Sequence, residues 1–381
     1  MTRYAQLAVW SLSLLVSIWL GYPLLVAGLA RLARLALRRR SDGSTSLEPY
    51  RPFVSVIMAT READAVVADR VSDVFRSSYP GELLEIVVGL DRVEETAGAL
   101  CARVADPRVV VVGGDAPGGK ATALNAAVRA ARGEVLIFSD ARQRFDEDSI
   151  AALVAPLRDP RIGAASGCLD IPPRVAALPS PTECYWLLER WLREREAELH
   201  STVGVTGAVW ALRRSLWLPL RAGLILDDVF TPMRLVLAGY RVAFVRAARA
   251  VDDRRFSAAQ EYRRKVRTLT GVLQLCAWLP GVLVPWRNPI WLQFVAHKLL
   301  RLLSPYLALA CAVGLVGALS ISALRPDTQA GFMAAGTAIA LVAWPSMRGR
   351  LGRALTWSLA IQAALVVATA NGLRGRWDVW R

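Results

Sequence analysis

The chain has 381 residues, with 47 Lys and Arg against 32 Asp and Glu, which gives a net charge of +15. A hydrophobic content of 54% is too high for an ordinary soluble protein, and 21% charged residues is too high for a protein lying wholly in a membrane. We therefore expect a soluble domain with membrane segments attached. The basic residues form no groove-like pattern, so nucleic acid is not an expected partner. Two histidines and five scattered cysteines argue against a zinc site.

The N-terminal segment, from about Ala5 to Leu29, carries no charge and is long enough to span a bilayer. Five arginines follow at once in "RLARLALRRR" (31–40). The positive-inside rule places this flank in the cytoplasm. A secretory signal peptide would instead carry its positive charge before a shorter apolar run. We assign residues 1–40 to a transmembrane helix and its basic flank.

After a polar linker (41–52), apolar runs rich in Val and Ile alternate with helical stretches. The four runs, which we predict to be strands, cover 53–59, 84–91, 108–114 and 134–140. Continuous apolar runs of this length are typical of strands buried on both faces. The alternation predicts an α/β domain with a mostly parallel sheet covered by helices.

In such sheets, ligands bind outside the carboxyl ends of the strands. The candidate residues at these ends are Ala59, Thr60, Asp91, the glycines and Lys120 of "GGDAPGGK" (113–120), and Asp140. Backbone N–H groups and a lysine suit a diphosphate, and a carboxylate suits a ribose, a base or a cation. Neither a phosphate-loop nor a dinucleotide-binding glycine motif is complete, which disfavours ATPases and dinucleotide enzymes. The alternative is that Asp91 and Asp140 only cap turns.

The segment "GGKATALNAAVRAARGEVLIFSDA" (118–141) carries a lysine, a Leu-Asn helix, a glycine, a strand and an aspartate in order. "VSVIMATREAD" (54–64) precedes it. Together these motifs resemble the family-2 inverting glycosyltransferases with a GT-A fold, in the membrane-integrated branch similar to polysaccharide synthases. The resemblance covers about residues 50–300 in motif order. In the opening turn, Glu62 stands where the family usually has Asn, and Ala63 where it usually has Glu.

The resemblance implies a donor site for a nucleotide sugar, with a UDP-sugar as the expected donor. It implies recognition of the base by Asp91 and stabilisation of the diphosphate by Lys120. Further donor contacts are expected from the opening turn, at Ala59, Thr60 and Glu62.

The family's Asp-x-Asp pair, which holds a divalent cation on the sugar diphosphate, is here Asp140-Ala141-Arg142. The resemblance implies Mg²⁺ or Mn²⁺ at Asp140, completed by phosphates and waters. Arg142 could bind a phosphate bidentately and so supply positive charge directly. The alternative is that Arg142 points away and pairs with Asp146 or Glu147.

Two further segments resemble the acceptor and catalytic motifs. "VTGAVW" resembles the acceptor-side T-G segment, which assigns Thr206 and Gly207 to the acceptor. "LILDDVF" resembles the Glu-Asp motif, with Asp227 in place of Glu and Asp228 at the position of the catalytic base. Such a base takes the proton of the acceptor hydroxyl as the nucleotide leaves. Without the resemblance, "LDD" before a helix would be an ordinary N-cap.

In the processive members a Gln-x-x-Arg-Trp motif follows, and here "EYRRKVRTLTG" occupies its place. Arg264 stands for Gln, Arg267 for Arg and Thr268 for Trp. The arginines are expected to reach the donor diphosphate, but the aromatic platform for an acceptor sugar is absent, which argues against processive synthesis. The alternative is a basic patch at the membrane surface.

The C-terminal part holds three more apolar stretches, Leu302–Leu324, Thr328–Trp344 and Ala354–Leu373. We assign 41–262 to a cytoplasmic GT-A domain, 263–300 to interfacial helices and 301–381 to a transmembrane region.

These assignments predict a multi-pass enzyme of the bacterial inner membrane with a cytoplasmic catalytic domain. We expect it to transfer a hexose to a carbohydrate or lipid-linked acceptor in polysaccharide or cell-envelope glycan synthesis. Its expected partners are the nucleotide sugar, the acceptor and membrane lipids. Two alternatives stay open: an enzyme that loads one sugar onto a polyprenyl phosphate, and a non-catalytic scaffold or export subunit that has kept the fold.

Overall fold

The computed structural model describes residues 2–38, 49–91, 100, 103–170, 181–252, 257–322, 352 and 356–379. The predicted stretch Thr328–Trp344, most of the linker and most of the helix expected after Asp91 lie outside these residues. The chain divides into two compact units. The smaller unit comprises Met1–Leu25, Phe256–Thr270 and Val295–Trp380, and the larger one Val26–Arg255 and Gly271–Phe294.

The larger unit is built on one sheet, which has eight strands over the described residues. The strands are β1 (Val54–Thr60), β2 (Leu84–Leu90), β3 (Val109–Gly113), β4 (Val135–Ser139), β5 (Arg144–Phe145), β6 (Ile162–Asp170), β7 (Val209–Arg213) and β8 (Arg241–Val251). Their order is β3-β2-β1-β4-β7-β6-β8-β5. The first four strands are parallel, as predicted, whereas β7 is antiparallel to both of its neighbours. The predicted α/β class with a mostly parallel sheet is confirmed.

The helices are α1 (Arg3–Val16), α2 (Tyr22–Arg38), α3 (Asp64–Phe75), α4 (Lys120–Ala130), α5 (Ser149–Val154), α6 (Pro181–Leu199), α7 (Asp227–Leu237), α8 (Ala258–Trp278), α9 (Trp291–Phe294), α10 (Ser304–Ser322) and α11 (Thr356–Leu373). Helix α4 packs on β2 at very short range. A Cβ added at Gly89 would collide with the backbone carbonyl of Ala123, so only glycine allows this approach. The close packing fixes the start of α4 beside the strand ends.

The order of the parallel strands places the ligand edge. Strands β2 and β3 lie on one side of β1, whereas β4 lies on the other, so the strand order reverses between β1 and β4. Ligands of open α/β sheets bind at the carboxyl ends beside such a reversal. Beyond β4 the sheet continues into β7, where the aligned residues Phe138 and Trp210 stack with ring centroids 4.1 Å apart.

Glu85 is a buried carboxylate within β2. It accepts hydrogen bonds from the Ser55 hydroxyl at 2.6 Å, the Arg132 backbone N–H at 2.6 Å and the Arg132 Nε at 2.8 Å. Burial raises the pKa of Glu85, but the hydrogen bonds together lower it by more than burial raises it. The net pKa of Glu85 therefore lies below the ordinary value. The folded state therefore holds Glu85 ionised.

Within the described residues, three helical stretches are long and apolar enough to cross a membrane: Arg3–Ala36, Trp291–Ser320 and Thr356–Leu373. They contain or overlap three of the four predicted apolar segments. The second begins earlier than the predicted Leu302, because the chain is already helical from Trp291.

In the smaller unit, α1 and α10 are in close contact through small residues. A Cβ added at Gly314 would lie 2.6 Å from the Ala8 backbone nitrogen and 2.8 Å from the Tyr4 carbonyl oxygen. Small residues that let helix backbones approach are typical of helix pairs in membranes. The Trp19 indole N–H also donates to the Ser304 hydroxyl at 3.1 Å.

Candidate active site

The predicted residues of the larger unit gather at the carboxyl ends of β1, β2 and β4. Asp91 directly follows β2, and Asp140 directly follows β4. Strand β7 is antiparallel to β4, with Val209 aligned to Ser139. The segment that leads into β7 therefore lies at the edge where β4 ends. That segment contains Thr206 and Gly207.

Lys120, the first residue of α4, lies between two carboxylates. Its Nζ is 3.3 Å from Asp227 Oδ2 and 3.7 Å from Asp140 Oδ1. Burial lowers the pKa of this ammonium, but Asp227, Asp140 and Asp228 raise it more, so the net pKa lies above its ordinary value. Lys120 is therefore a fixed positive charge that joins the end of β4 to the start of α7.

Asp227 and Asp228 are the first two residues of α7, and the N-cap is Leu226. The two aspartates are therefore not the capping residues that the LDD pattern alone would suggest. Acidic side chains in the first turn are stabilised by the helix dipole. This position presents two carboxylates at the open edge of the sheet.

Gly207 lies directly against Asp228. A Cβ added at Gly207 would be 3.3 Å from Asp228 Oδ2, and the Val205 N–H donates to the Asp228 carbonyl at 2.8 Å. The structure thus brings the predicted acceptor segment and the predicted base together. Only glycine leaves open space beside the carboxylate.

The Thr206 side chain is 8% exposed. Its hydroxyl donates to the Gly167 carbonyl at 2.8 Å, and its backbone N–H donates to the Ser166 hydroxyl at 2.9 Å. Thr206 therefore anchors the segment that carries Gly207. A direct contact of Thr206 with an acceptor stays a prediction.

The opening turn after β1 is ordered by its own hydrogen bonds. Ala59 and Thr60 end the strand. The Thr60 hydroxyl accepts from the Glu62 N–H at 3.0 Å, and the Thr60 carbonyl accepts from the Asp91 N–H at 3.1 Å. The turn therefore ties the ends of β1 and β2 to each other.

The Asp91 carboxylate joins two loops. It accepts a hydrogen bond from the Gly119 backbone N–H and forms an ion pair with Arg61. Gly118 and Gly119 have φ values of +87° and +104°, which favour glycine. Asp91 thus holds the glycine-rich loop at Gly119, the residue directly before Lys120.

Arg142 forms a bidentate ion pair with Glu62. The Nε–Oε1 and Nη2–Oε2 distances are both 2.5 Å. The partner of Arg142 is therefore Glu62 and not Asp146 or Glu147, the two alternatives from the sequence. Asp146 lies 3.6 Å from Arg249. Two of the positions that depart from the resembled motifs therefore contact each other across the ends of β1 and β4.

Arg70, which the sequence analysis missed, supports the end of β4 from below. It is fully buried, pairs with Asp73 and donates to the Ser139 hydroxyl from Nη2 at 2.8 Å. Burial is the main cause that lowers the pKa of Arg70 to about 10. Its guanidinium stacks on the Phe145 ring at 4.0 Å. Arg70 thus fixes Ser139, the residue before Asp140, from within the core. The only sign of this role in the sequence is that an arginine lies on the apolar face of α3.

Two amides hold the chain that leads into Asp227. Asn125 of α4 exchanges two hydrogen bonds of 2.8 Å with the backbone of Leu220. Gln274 of α8 accepts from the Ile225 N–H at 2.8 Å and donates to the Gly223 carbonyl at 3.0 Å. Asn125 belongs to the matched Leu-Asn motif, whereas Gln274 had no signal in the sequence.

Among the described residues, no group of three or more His, Cys, Asp or Glu side chains is placed to hold a metal ion. Mg²⁺, however, often uses one or two carboxylates together with substrate phosphates and waters. Among the described residues at this edge, the carboxylates outnumber the cationic side chains: Glu62, Asp91, Asp140, Asp227 and Asp228 against Arg61, Lys120 and Arg142. The donor set therefore fits a cation shared between Asp140 and a bound diphosphate.

Arg264 and Arg267 lie on α8, in the part of that helix that belongs to the smaller unit. Their contact with a donor stays a prediction.

A family model described as "Glycosyltransferase like family 2" matches residues 51–271. The match covers more than half of the chain and includes both the sheet and the site residues of the larger unit. The chain therefore belongs to the family-2 glycosyltransferases, as the sequence motifs predicted.

Two comparisons extend this assignment. The chain is 25% identical over 173 residues to a beta-monoglucosyldiacylglycerol synthase of Synechocystis, which covers 42% of this chain and 36% of that protein. The match thus spans about a third of the relative's length. The structure resembles the mannosyltransferase PcManGT of Pyrobaculum calidifontis in complex with GDP-Man and Mn²⁺, with a TM-score of 0.68 and 24% identity. That likeness covers 96% of this chain and 99% of the other, and it shows a shared GT-A fold.

Proposed function

We propose that the protein is a membrane-bound inverting glycosyltransferase that moves a hexose from a nucleotide sugar to a carbohydrate or lipid-linked acceptor. The observation that carries the proposal is the position of Asp228, which contacts the acceptor-side glycine while Lys120 lies beside Asp140 and Asp227. A carboxylate suited to act as a base and a fixed cation therefore lie in the same site. A UDP-sugar is the donor we expect.

Asp228 takes the proton from the acceptor hydroxyl, whose oxygen attacks the anomeric carbon of the donor sugar. The bond between that carbon and the phosphate oxygen breaks, and its electron pair leaves with the nucleoside diphosphate. Attack from the face opposite the leaving group inverts the anomeric configuration. Lys120 and Arg142 stabilise the negative charge that grows on the diphosphate.

The other predicted donor residues complete this site. We assign Asp91 to the base or ribose, the turn from Ala59 to Glu62 to the rim of the donor pocket, and Arg264 and Arg267 to the diphosphate. Mg²⁺ or Mn²⁺ held by Asp140 would supply further positive charge to the leaving group.

The proposal includes a location. Three helical stretches suit a membrane, and the basic flank after the first favours the cytoplasm for the residues that follow. We therefore propose a multi-pass protein of the bacterial inner membrane, with a catalytic domain at 41–262, interfacial helices at 263–300 and a membrane region at 301–381. A lipid-linked acceptor suits this location, and the Synechocystis relative is named for a glycosylated diacylglycerol.

The test uses the full chain purified in detergent. It is offered UDP-glucose, UDP-galactose, UDP-N-acetylglucosamine or GDP-mannose with diacylglycerol, polyprenyl phosphate or an oligosaccharide, and the released nucleoside diphosphate and the glycosylated product are measured. Asp228→Asn should lower turnover by roughly 10²- to 10⁴-fold with donor binding retained. Asp159→Asn, at the opposite end of the sheet, is the matched control and should leave turnover unchanged.

The acceptor arms separate the alternatives. Transfer to polyprenyl phosphate alone would favour the single-addition enzyme. A folded protein that releases no nucleoside diphosphate from any donor would favour the scaffold and contradict the proposal.

A further inference from the structure

The ion pair of Glu62 and Arg142 uses only one edge of the guanidinium. Nε and Nη2 donate to the two carboxylate oxygens, each at 2.5 Å. An arginine has five N–H donors in a planar fork. Side-on pairing therefore leaves both hydrogens of Nη1 and the second hydrogen of Nη2 for another ligand. The Arg142 side chain is 42% exposed, so a ligand in solution can reach it.

This pair lies where the two central parallel strands end. Glu62 is two residues past β1, and Arg142 is three residues past the adjacent β4. Between β4 and Arg142 comes Asp140, whose carboxylate is 3.7 Å from the Lys120 ammonium. The arginine is thus two residues along the chain from Asp140, which contacts Lys120, a residue that we assign to the diphosphate.

The pair is poorly suited to a purely stabilising role. Exposed ion pairs contribute only about 0–1 kcal/mol to stability, because water competes for both partners. A carboxylate beside a diphosphate would also repel it unless a cation lay between them. The Glu62 backbone is itself held, since its N–H donates to the Thr60 hydroxyl at 3.0 Å. A fixed carboxylate that accepts two hydrogen bonds from one edge of an exposed guanidinium also fixes the direction in which the other edge of the guanidinium points.

We propose that Glu62 is a positioning residue that does not touch the donor but holds the Arg142 guanidinium so that its free edge binds the diphosphate of the nucleotide sugar. This inference rests on the proposed function. It makes the residues at positions 62 and 142 one unit, in which Glu62 acts only through Arg142.

The test separates the hydrogen bonds that Glu62 accepts from Arg142 from the negative charge of Glu62. Glu62→Gln and Glu62→Ala both remove the negative charge, but only glutamine can still accept a hydrogen bond from Arg142. Binding of UDP, and of GDP, is measured by titration calorimetry on the full chain, with Mg²⁺ and with a chelator. Ordering one freed side chain costs about 0.5–1.5 kcal/mol. We therefore expect the alanine variant to bind the nucleoside diphosphate about 2- to 12-fold more weakly than the glutamine variant.

The same two substitutions are then made in Arg142→Ala. Without the arginine there is nothing to hold, so the glutamine and alanine variants should bind equally. Both should bind more tightly than Arg142→Ala alone, because a carboxylate at position 62 whose charge Arg142 no longer offsets repels the diphosphate. A residue with a general structural role would not produce a difference between glutamine and alanine that disappears when Arg142 is removed.

Asp159 and Arg161 supply the matched control. They form a bidentate pair at the opposite end of the sheet, in which the carboxylate is 31% exposed, as in Glu62, and the arginine is 76% exposed, against 42% for Arg142. Arg161→Ala should leave nucleotide binding unchanged.

Equal binding by Glu62→Gln and Glu62→Ala, or tighter binding by both than by the wild type, would overturn the inference alone. The second result would mean that Glu62 competes with the diphosphate for Arg142. Absence of nucleoside diphosphate binding by the wild type would overturn the proposed function, and this inference with it.

Discussion

Gly271→Ala should lower turnover without touching a proposed catalytic residue. Gly271 lies on α8, where it packs against the two residues that precede Asp227. A Cβ at this position would lie 2.5 Å from Leu226 Cγ and 2.9 Å from Ile225 Cγ2. Carbon atoms in contact are normally about 3.5–4.0 Å apart, so Leu226 has to move by about 1 Å. Leu226 is the N-cap of α7, so we expect its displacement to shift Asp227 and Asp228, the two residues that follow it.

The expected magnitude follows from this shift. A misplacement of about 1 Å at a catalytic group can cost about 10²-fold in rate. Overpacking of this kind also costs about 1–3 kcal/mol of stability. We therefore expect a fall in kcat of roughly 10- to 100-fold and a lower Tm, with little change in nucleoside diphosphate binding.

The assay measures product formation at saturating donor, together with a thermal unfolding scan. Gly28→Ala is the matched control, because Gly28 is also helical and its added Cβ would have no described atom within 4 Å. Adding Leu226→Ala to Gly271→Ala should recover part of the lost turnover, since it removes the colliding atoms. A Gly271→Ala protein with kcat within twofold of the wild type would refute the reasoning.

Two further predictions follow from the structure and a third from the sequence. Arg70→Met should lower stability by about 1.5–3 kcal/mol, because the buried Asp73 carboxylate loses one of its two arginine partners and keeps only Arg76, and a thermal scan against Asp73→Asn would check this. Glu85 has a folded pKa below its unfolded value, so its stabilisation is present above pH ~4.3 and is lost as the pH falls through the folded pKa. The drop in Tm below pH ~4.3 should therefore be smaller in Glu85→Gln than in the wild type. Ser44→Cys, in a chain without its native cysteines, should resist a membrane-impermeant maleimide in intact cells, and rapid labelling would contradict the cytoplasmic assignment.

The parallel half of the fold could be predicted from the sequence. Four runs of Val and Ile are too long and too apolar for loops, and the acids at their ends sit where a parallel sheet gathers ligands. The predicted strand 84–91 corresponds to Leu84–Leu90, and 134–140 to Val135–Ser139. The family motifs then assigned Lys120 and Asp140 to one site, and the structure places them 3.7 Å apart.

The other half of the sheet could not be predicted in this way. Strands β6, β7 and β8 are joined to β4 through antiparallel and bulged pairings between segments far apart in the chain. Hydrophobic periodicity indicates that a segment is buried, but it does not indicate which neighbouring segment packs against it.

The partners of single polar side chains were decided by the tertiary structure alone. The sequence indicated that Arg142 departs from an expected carboxylate, yet its partner Glu62 is 80 residues away. Gln274 reaches Ile225 from 49 residues away, and Arg70 reaches Ser139 from 69. Such contacts depend on the order of strands in the sheet and on the depth of each helix against it. Local sequence fixes the kind of element and the charge that it carries, whereas only the packed fold decides which charge meets which.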